Sequence, residues 1–247
     1  MSNEPPRRSK VHVELGTPSQ PVLIRWATWR GGYRGGYDSY VLFTTEGPVL
    51  IDPEQADETG AAELLRIHPG PPVAVVLTND MHERSAYRIR ESVGAPVWAP
   101  KSGEQDLEGK PDHLYADGGA LPGGLRAIDI AGRFSGDSVL LWQAPTGDRV
   151  LFTGDTLCGA LNPDNPHNAD HPRRAAGLYL GAGPFYLRLE HPDRLKASLR
   201  RVLDEDFDLI CGAHGVPVRN ARPALAQLLA LDWAPLLAAG KHPFVPV

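Results

Sequence analysis

Residues 78 to 84, TNDMHER, crowd a hydroxyl, an amide, a thioether, an imidazole, a guanidinium and two carboxylates into one short stretch. The stretch follows the apolar run PVAVVL, so these groups stand where a strand hands over to a turn. Four further groups end or closely follow apolar runs: Asp52 in VLIDPE, Arg133 in IDIAGRFSGDS, Asp155 in VLFTGDTL and His214 in LICGAHGVP. Strands lying side by side would bring these turns to one rim, where α/β folds gather their functional groups. Glycine before Asp155 and around His214 lets the backbone approach such a rim closely. Imidazole and carboxylate are donors for a divalent cation. Asp80, His82, Glu83, Asp155 and His214 all offer such donors at these strand ends. Metal-free catalysis by His214 with Asp155 lacks a recognisable serine or cysteine nucleophile.

Each group also has a plainer reading. Asp80 and Glu83, three residues apart at a helix start, fit a capping-box variant. His82 reads as a solvated first-turn histidine and Asp52 as a turn residue. His167, Asp170 and His171 lie in an irregular segment rich in Pro, Asn and His, residues 158–194. That segment reads as a surface loop whose Arg173 and Arg174 could admit an anionic ligand. Residues 30–38, RGGYRGGYD, read as a glycine-rich loop between strands.

The elements that must carry these turns follow from periodicity. Strands are expected at 10–15, 21–29, 39–45, 48–52, 72–78, 95–100, 124–132, 137–144, 148–155 and 207–215. Helices are expected at 58–68, 82–93, 192–204 and from 222. The strands are too apolar to leave a face in water, so both faces should be covered. The expected architecture is α/β, a four-layer αββα sandwich of two mixed sheets flanked by helices. The chain reads as one domain over 1–247, with 1–9 as a flexible N-terminal extension.

Composition narrows the functional classes. The 247 residues are 42% hydrophobic and 22% charged, with a net charge of -5, which gives no reason to expect nucleic acid as a partner. No apolar stretch reaches the roughly 20 residues of a membrane-spanning helix. No secretory signal opens the chain, and a cytoplasmic location is the expectation. Cys158 and Cys211, 53 residues apart, are expected as buried thiols.

In order and spacing, the hairpin leading to VLIDP, the turn TNDMHER, TGDTL and CGAHG resemble the metallo-β-lactamase fold superfamily across residues 10 to 220. The resemblance implies an αββα fold and a cleft that holds two metal ions, or one iron centre in some members, for hydrolysis. Laid on that pattern, the first metal site falls on Asn79, Met81 and Arg133. Glu83, Arg84, Asp155 and His214 take the positions of the second, and only Asp155 and His214 are as the family has them. An asparagine oxygen is a poor zinc ligand, a thioether is weak, and a guanidinium has no lone pair to give. The two-metal mechanism should therefore be unavailable. Arg84 and Arg133 would then supply the positive charge that Glu83 and Asp155 lack.

Two functional readings follow. In the first, the di-metal site is lost, no cofactor is needed, and the chain is a binding or regulatory protein, which could take a small-molecule ligand, an anionic one included, or a structural subunit. In the second it is a mononuclear hydrolase, with zinc, iron or manganese on Glu83, Asp155 and His214, His82 able to swing in, and a metal-activated water as nucleophile.

Overall fold

The computed structural model describes residues 7–30, 35–67, 70–132, 136–181, 189 and 191–247. Its first sheet is built from seven strands in sequence order. These are β1 (Arg7–Thr17), β2 (Gln20–Arg30), β3 (Tyr37–Thr44), β4 (Gly47–Ile51), β5 (Ala74–Val76), β6 (Val97–Pro100) and β7 (His113–Tyr115). Strands β1 to β4 pair antiparallel with their neighbours. Helices α1 (Glu58–Ile67) and α2 (Ala86–Val93) serve as crossovers, so β4, β5 and β6 run parallel.

The second sheet begins with β8 (Ala120–Leu121), β9 (Leu125–Asp129), β10 (Ser138–Gln143) and β11 (Arg149–Gly154). The chain then adds β12 (Leu157–Cys158), β13 (Gly177–Leu180), α3 (Pro192–Leu203), β14 (Leu209–Gly212) and β15 (Val218–Arg219). Helices α4 (Ala221–Ala230) and α5 (Trp233–Ala238) and strand β16 (Phe244–Pro246) follow. The sheet order is β15-β14-β11-β10-β9-β8, with β14 parallel to β11. Strands β12, β13 and β16 form a small third sheet.

The two large sheets pack face to face. Leu23, Leu42, Ile51 and Val76 meet Leu140, Val150, Phe152 and Leu209 between them. On the outer face of the first sheet, Ile24, Trp26 and Val41 pack on Leu64 and Ile67 of α1. Val75, Leu77 and Val97 pack there on Ala86 and Ile89 of α2. Val139, Leu151 and Ile210 of the second sheet pack on Leu195 and Leu199 of α3 and Leu225 and Leu228 of α4. Each such side chain contributes about 1.5–3 kcal/mol on burial, so the apolar faces set the register and the turns are left free for chemistry. These are the expected four αββα layers. Cys158 and Cys211 are both buried thiols. No helix of the described residues is long and apolar enough to cross a membrane.

Several boundaries differ from expectation. Residues 7–9 already belong to β1 rather than to an extension. The helix expected at 82 begins at Ala86, preceded by a single 3-10 turn over Asp80–His82. The cause is Arg84, whose φ of 34° breaks helical continuity. In α1, Leu65 faces solvent instead of the core.

Candidate functional site

Two pairs of parallel strands, one pair in each sheet, deliver the groups. In the first sheet, β4 ends just before Asp52 and β5 leads into the 78–84 turn. In the second, β11 ends before Asp155 and β14 before His214. Adjacent parallel strands end on the same side, so all four turns meet on one rim. The Asp155 turn comes very close to the other wall. A Cβ on Gly154, which has φ +50°, would stand 2.4 Å from the Thr78 hydroxyl.

Asp52 anchors the first wall. Its Oδ1 accepts the Thr78 N–H at 2.8 Å and its Oδ2 accepts the Thr78 hydroxyl at 2.6 Å. The same Oδ2 lies 2.9 Å from His82 Nδ1. Burial would raise the Asp52 pKa, but His82, Arg84 and Thr78 together hold it below the usual carboxylate range. Asp52 has φ 46°. Among the described residues only three non-glycine residues have positive φ, and two of them, Asp52 and Arg84, are here. Such strain collects at functional sites.

Both imidazoles converge on one carboxylate oxygen. His82 Nε2 lies 3.2 Å from Asp155 Oδ1, and His214 Nε2 lies 3.0 Å from the same atom. The far nitrogen of each ring is engaged: His82 Nδ1 by Asp52, and His214 Nδ1 by the Gly36 carbonyl at 2.5 Å. Burial would raise the Asp155 pKa, yet the two imidazoles hold it well below the usual range. Burial and the Arg84 charge lower the His82 pKa, while Asp52 and Asp155 raise it and prevail.

This donor set fits a cation. With Nδ1–H given to an acceptor, a neutral imidazole presents a lone pair at Nε2. Two such lone pairs against a carboxylate oxygen repel unless a proton or a metal ion stands between them. The ligand atoms of His82, Asp155 and His214 all lie within 4.8 Å of one another. A tetrahedral ion with bonds of about 2.0–2.1 Å has donors roughly 3.3–3.4 Å apart, close to the separations from Asp155. An aspartate behind one histidine and a carbonyl behind the other are the outer supports that metal-ligating imidazoles use.

The structure compares with solved proteins along most of its length. A metallo-β-lactamase from Pontibacter korlensis matches with a TM-score of 0.59 over 90% of this chain and 98% of that one, at 17% identity. The chain has the metallo-β-lactamase fold. A fragment of a putative diflavin flavoprotein from a Nostoc species gives 0.62 over 95% and 99%, at 18% identity. A protein solved in a di-iron-bound form, TTHA1623, gives 0.52 over 76% and 92%, at 23% identity. No protein-family model and no curated protein sequence matches the chain.

Within the metallo-β-lactamase fold, the candidate residues fall into two groups. Asp155 and His214 come together as expected, but the third member of the cluster is His82, not Glu83. The 3-10 turn rotates His82 inward and buries it, so it is not a solvated first-turn residue. Glu83 points elsewhere and accepts the N–H groups of Glu108 and Gly109 at 2.7 and 2.8 Å. Those bonds also remove the capping box. Met81 is half exposed. Asn79 is buried, and neither its Oδ1 nor its Nδ2 has a hydrogen-bond partner among the described residues.

Arg84 does not neutralise Asp155 or Glu83. It lies over the Tyr37 ring, 4.8 Å from the centroid, and donates to the Asp52 carbonyl at 3.2 Å. The two histidines favour the charged form of Asp155. Arg133 lies outside the described residues. Arg173 is buried against Tyr179 rather than displayed on a surface loop, and Arg174 donates to the Ala169 carbonyl.

The sequence sets Asp52 among the strand-end groups of the rim but gives it no role beyond its turn, and it sets Gly36 and Tyr37 in a glycine-rich loop. The signal for Asp52 was its place at the end of a strand, one hydrogen-bonded neighbour away from the 78–84 turn. Nothing in the sequence pairs Gly36 with His214.

Proposed function

We propose that the chain is a mononuclear metal-dependent hydrolase, with one divalent cation held by His82, Asp155 and His214. One observation carries the reading: two imidazole Nε2 atoms face a single Asp155 oxygen while both Nδ1 atoms are already engaged. A divalent ion there supplies Lewis acidity and lowers the pKa of a water it holds. Asp52 and the Gly36 carbonyl orient the rings, and Asp155 supplies the negative charge. The buried amide of Asn79 lies beside the Asp155 turn, its Nδ2 3.6 Å from where a Cβ on Gly154 would stand, and would offer a ligand or water there a hydrogen bond. Zinc, iron and manganese all accept this mixed imidazole and carboxylate set.

A second reading, a metal-free binding or regulatory protein for an anionic small molecule, draws support from Arg84. Its guanidinium disfavours a cation at His82. Metal content separates the two. Protein purified without an affinity tag, and an Asp155→Asn, His214→Ala double variant, would be compared by elemental analysis. Near-stoichiometric metal in the first and none in the second is the expected result. It would direct a screen of esters, thioesters and phosphodiesters. No metal in either, even after incubation with these ions, would overturn the hydrolase reading.

A further inference from the structure

The Gly36 carbonyl that orients His214 belongs to a Gly-Gly pair, and glycines do not hold a carbonyl in place by themselves. Something else must fix it. The peptide groups of Gly35 are gripped from both sides by a loop far along the chain. Asn168 Oδ1 accepts the Gly35 N–H at 2.9 Å, and Asn165 Nδ2 donates to the Gly35 carbonyl at 2.7 Å. Both asparagines are buried.

The amides are themselves aimed. Asn168 Nδ2 donates to the Asn162 carbonyl at 2.9 Å, and Asn165 Oδ1 accepts the His167 N–H at 3.1 Å. A 3-10 turn over Pro166–Asn168 holds the two side chains side by side. The loop is pinned to β1 through Asp164, whose Oδ1 takes Lys10 Nζ at 2.6 Å. Gly36 has φ +146°, and a Cβ there would stand 3.0 Å from the Thr28 carbonyl oxygen.

We propose that Asn165 and Asn168 are positioning residues for His214, acting through Gly35 and Gly36. The inference rests on the metal-site reading for its consequence, though not for its geometry. Loss of the clamp frees the Gly36 carbonyl, the Nδ1–H of His214 loses its acceptor, and Nε2 is no longer the committed donor. Supports of this kind typically change metal affinity by roughly 10–100-fold.

Two aspartate variants divide the proposal from simple loop damage, because each adds the same charge to the same buried turn. Asn165→Asp sets an acceptor against the Gly35 carbonyl and breaks the grip. Asn168→Asp keeps the oxygen that receives the Gly35 N–H and sets its other oxygen against the Asn162 carbonyl, away from Gly35. Ring-nitrogen NMR of His214 in metal-free protein reads the tautomer, and chelator competition reads zinc affinity. Asn165→Asp should lose the Nδ1–H tautomer and weaken zinc binding by roughly 10–100-fold, while Asn168→Asp stays near wild type in both. Should Asn165→Asp fail to fold, Asn165→Ala, which takes the amide from the Gly35 carbonyl and the acceptor from the His167 N–H, is read the same way. An unchanged His214 tautomer without the Asn165 amide, or equal damage from both aspartates, would overturn the assignment. If the wild type binds no zinc, the metal reading falls alone and the NMR measurement still decides this one.

Discussion

The two histidines of the site meet the same oxygen but are held in opposite ways. His82 is almost wholly buried, its side chain 3% exposed, and an ionised carboxylate on the neighbouring strand supports it. His214 is 19% exposed and rests on a neutral carbonyl from a residue 178 positions away. Charge behind a ligating imidazole raises its basicity, and a carbonyl does so less. The first wall is thus a local, charged, closed structure built from adjacent strand ends. The second is assembled at long range and lies nearer solvent. A site made this way has one fixed imidazole and one whose placement depends on the segment 35–38.

The sharpest way to break the second wall is at Asp38. Its N–H donates to the Ala213 carbonyl at 2.8 Å and its Oδ2 accepts the Gly215 N–H at 2.6 Å, so it brackets His214 on both sides. Arg25, which is buried, holds the other oxygen at 2.7 Å and is itself held by Glu14 at 2.8 Å. Burial lowers the Arg25 pKa, but Asp38, Tyr40 and Glu14 raise it further, so the guanidinium stays charged. Asp38→Ala leaves that charge half-paired in the interior and is expected to cost about 3–5 kcal/mol in urea denaturation. A loss under about 1 kcal/mol would mean that Glu14 alone suffices and that the bracket is not a support.

The same long-range character explains what the sequence could and could not disclose. Strands β2 to β6 and β9 to β11 follow from alternating or continuous apolar runs, because side-chain burial fixes them locally. Asp155 and His214 were legible because each ends such a run beside glycine. His82 was legible only as a group able to swing in, since its direction depends on a 3-10 turn and on Arg84 at φ 34°, a conformation no periodicity signals. Glu83 was misplaced for the same reason. Once the turn departs from a helix, the position after the strand no longer predicts which side chain faces the cleft. The bonds from Gly36 and Asp38 to the His214 turn are set by tertiary packing of β3 against β14, for which one sequence carries no local mark.

A pH series in metal-free protein sharpens the contrast from the first wall. The His82 pKa is raised in the folded state, so its contribution to stability is present below the unfolded value of about 6.5 and is lost as pH rises through the folded value. The pKa values of Asp52 and Asp155 are depressed, so their contribution is present above about 4 and is lost as pH falls below it. Metal-free protein should therefore be most stable between these limits and weaken above neutrality. Metal-loaded protein should instead gain stability over the same rise, because ligand nitrogens must shed protons to bind. Melting temperatures from pH 5 to pH 9, with and without zinc, would check it. Parallel curves would mean that His82 is not a ligand.

The smallest expected effect concerns the residue that shares the first wall with His82 yet has none of its partners. Asn79 buries an amide with both polar atoms unpaired, and each such group costs about 1–3 kcal/mol when water is excluded. Leucine is nearly the same shape and carries no such cost. Asn79→Leu should therefore raise the stability of metal-free protein, by about 1 kcal/mol after some repacking strain, and leave the His214 wall untouched. It should also weaken binding of any ligand that reads the amide. A stabilised variant with impaired binding would place Asn79 in the site's chemistry, since a polar group kept at a cost to the fold is explained by what it contacts when the site is at work. A destabilised variant would mean instead that the amide is satisfied by ordered water and belongs to the fold of the wall.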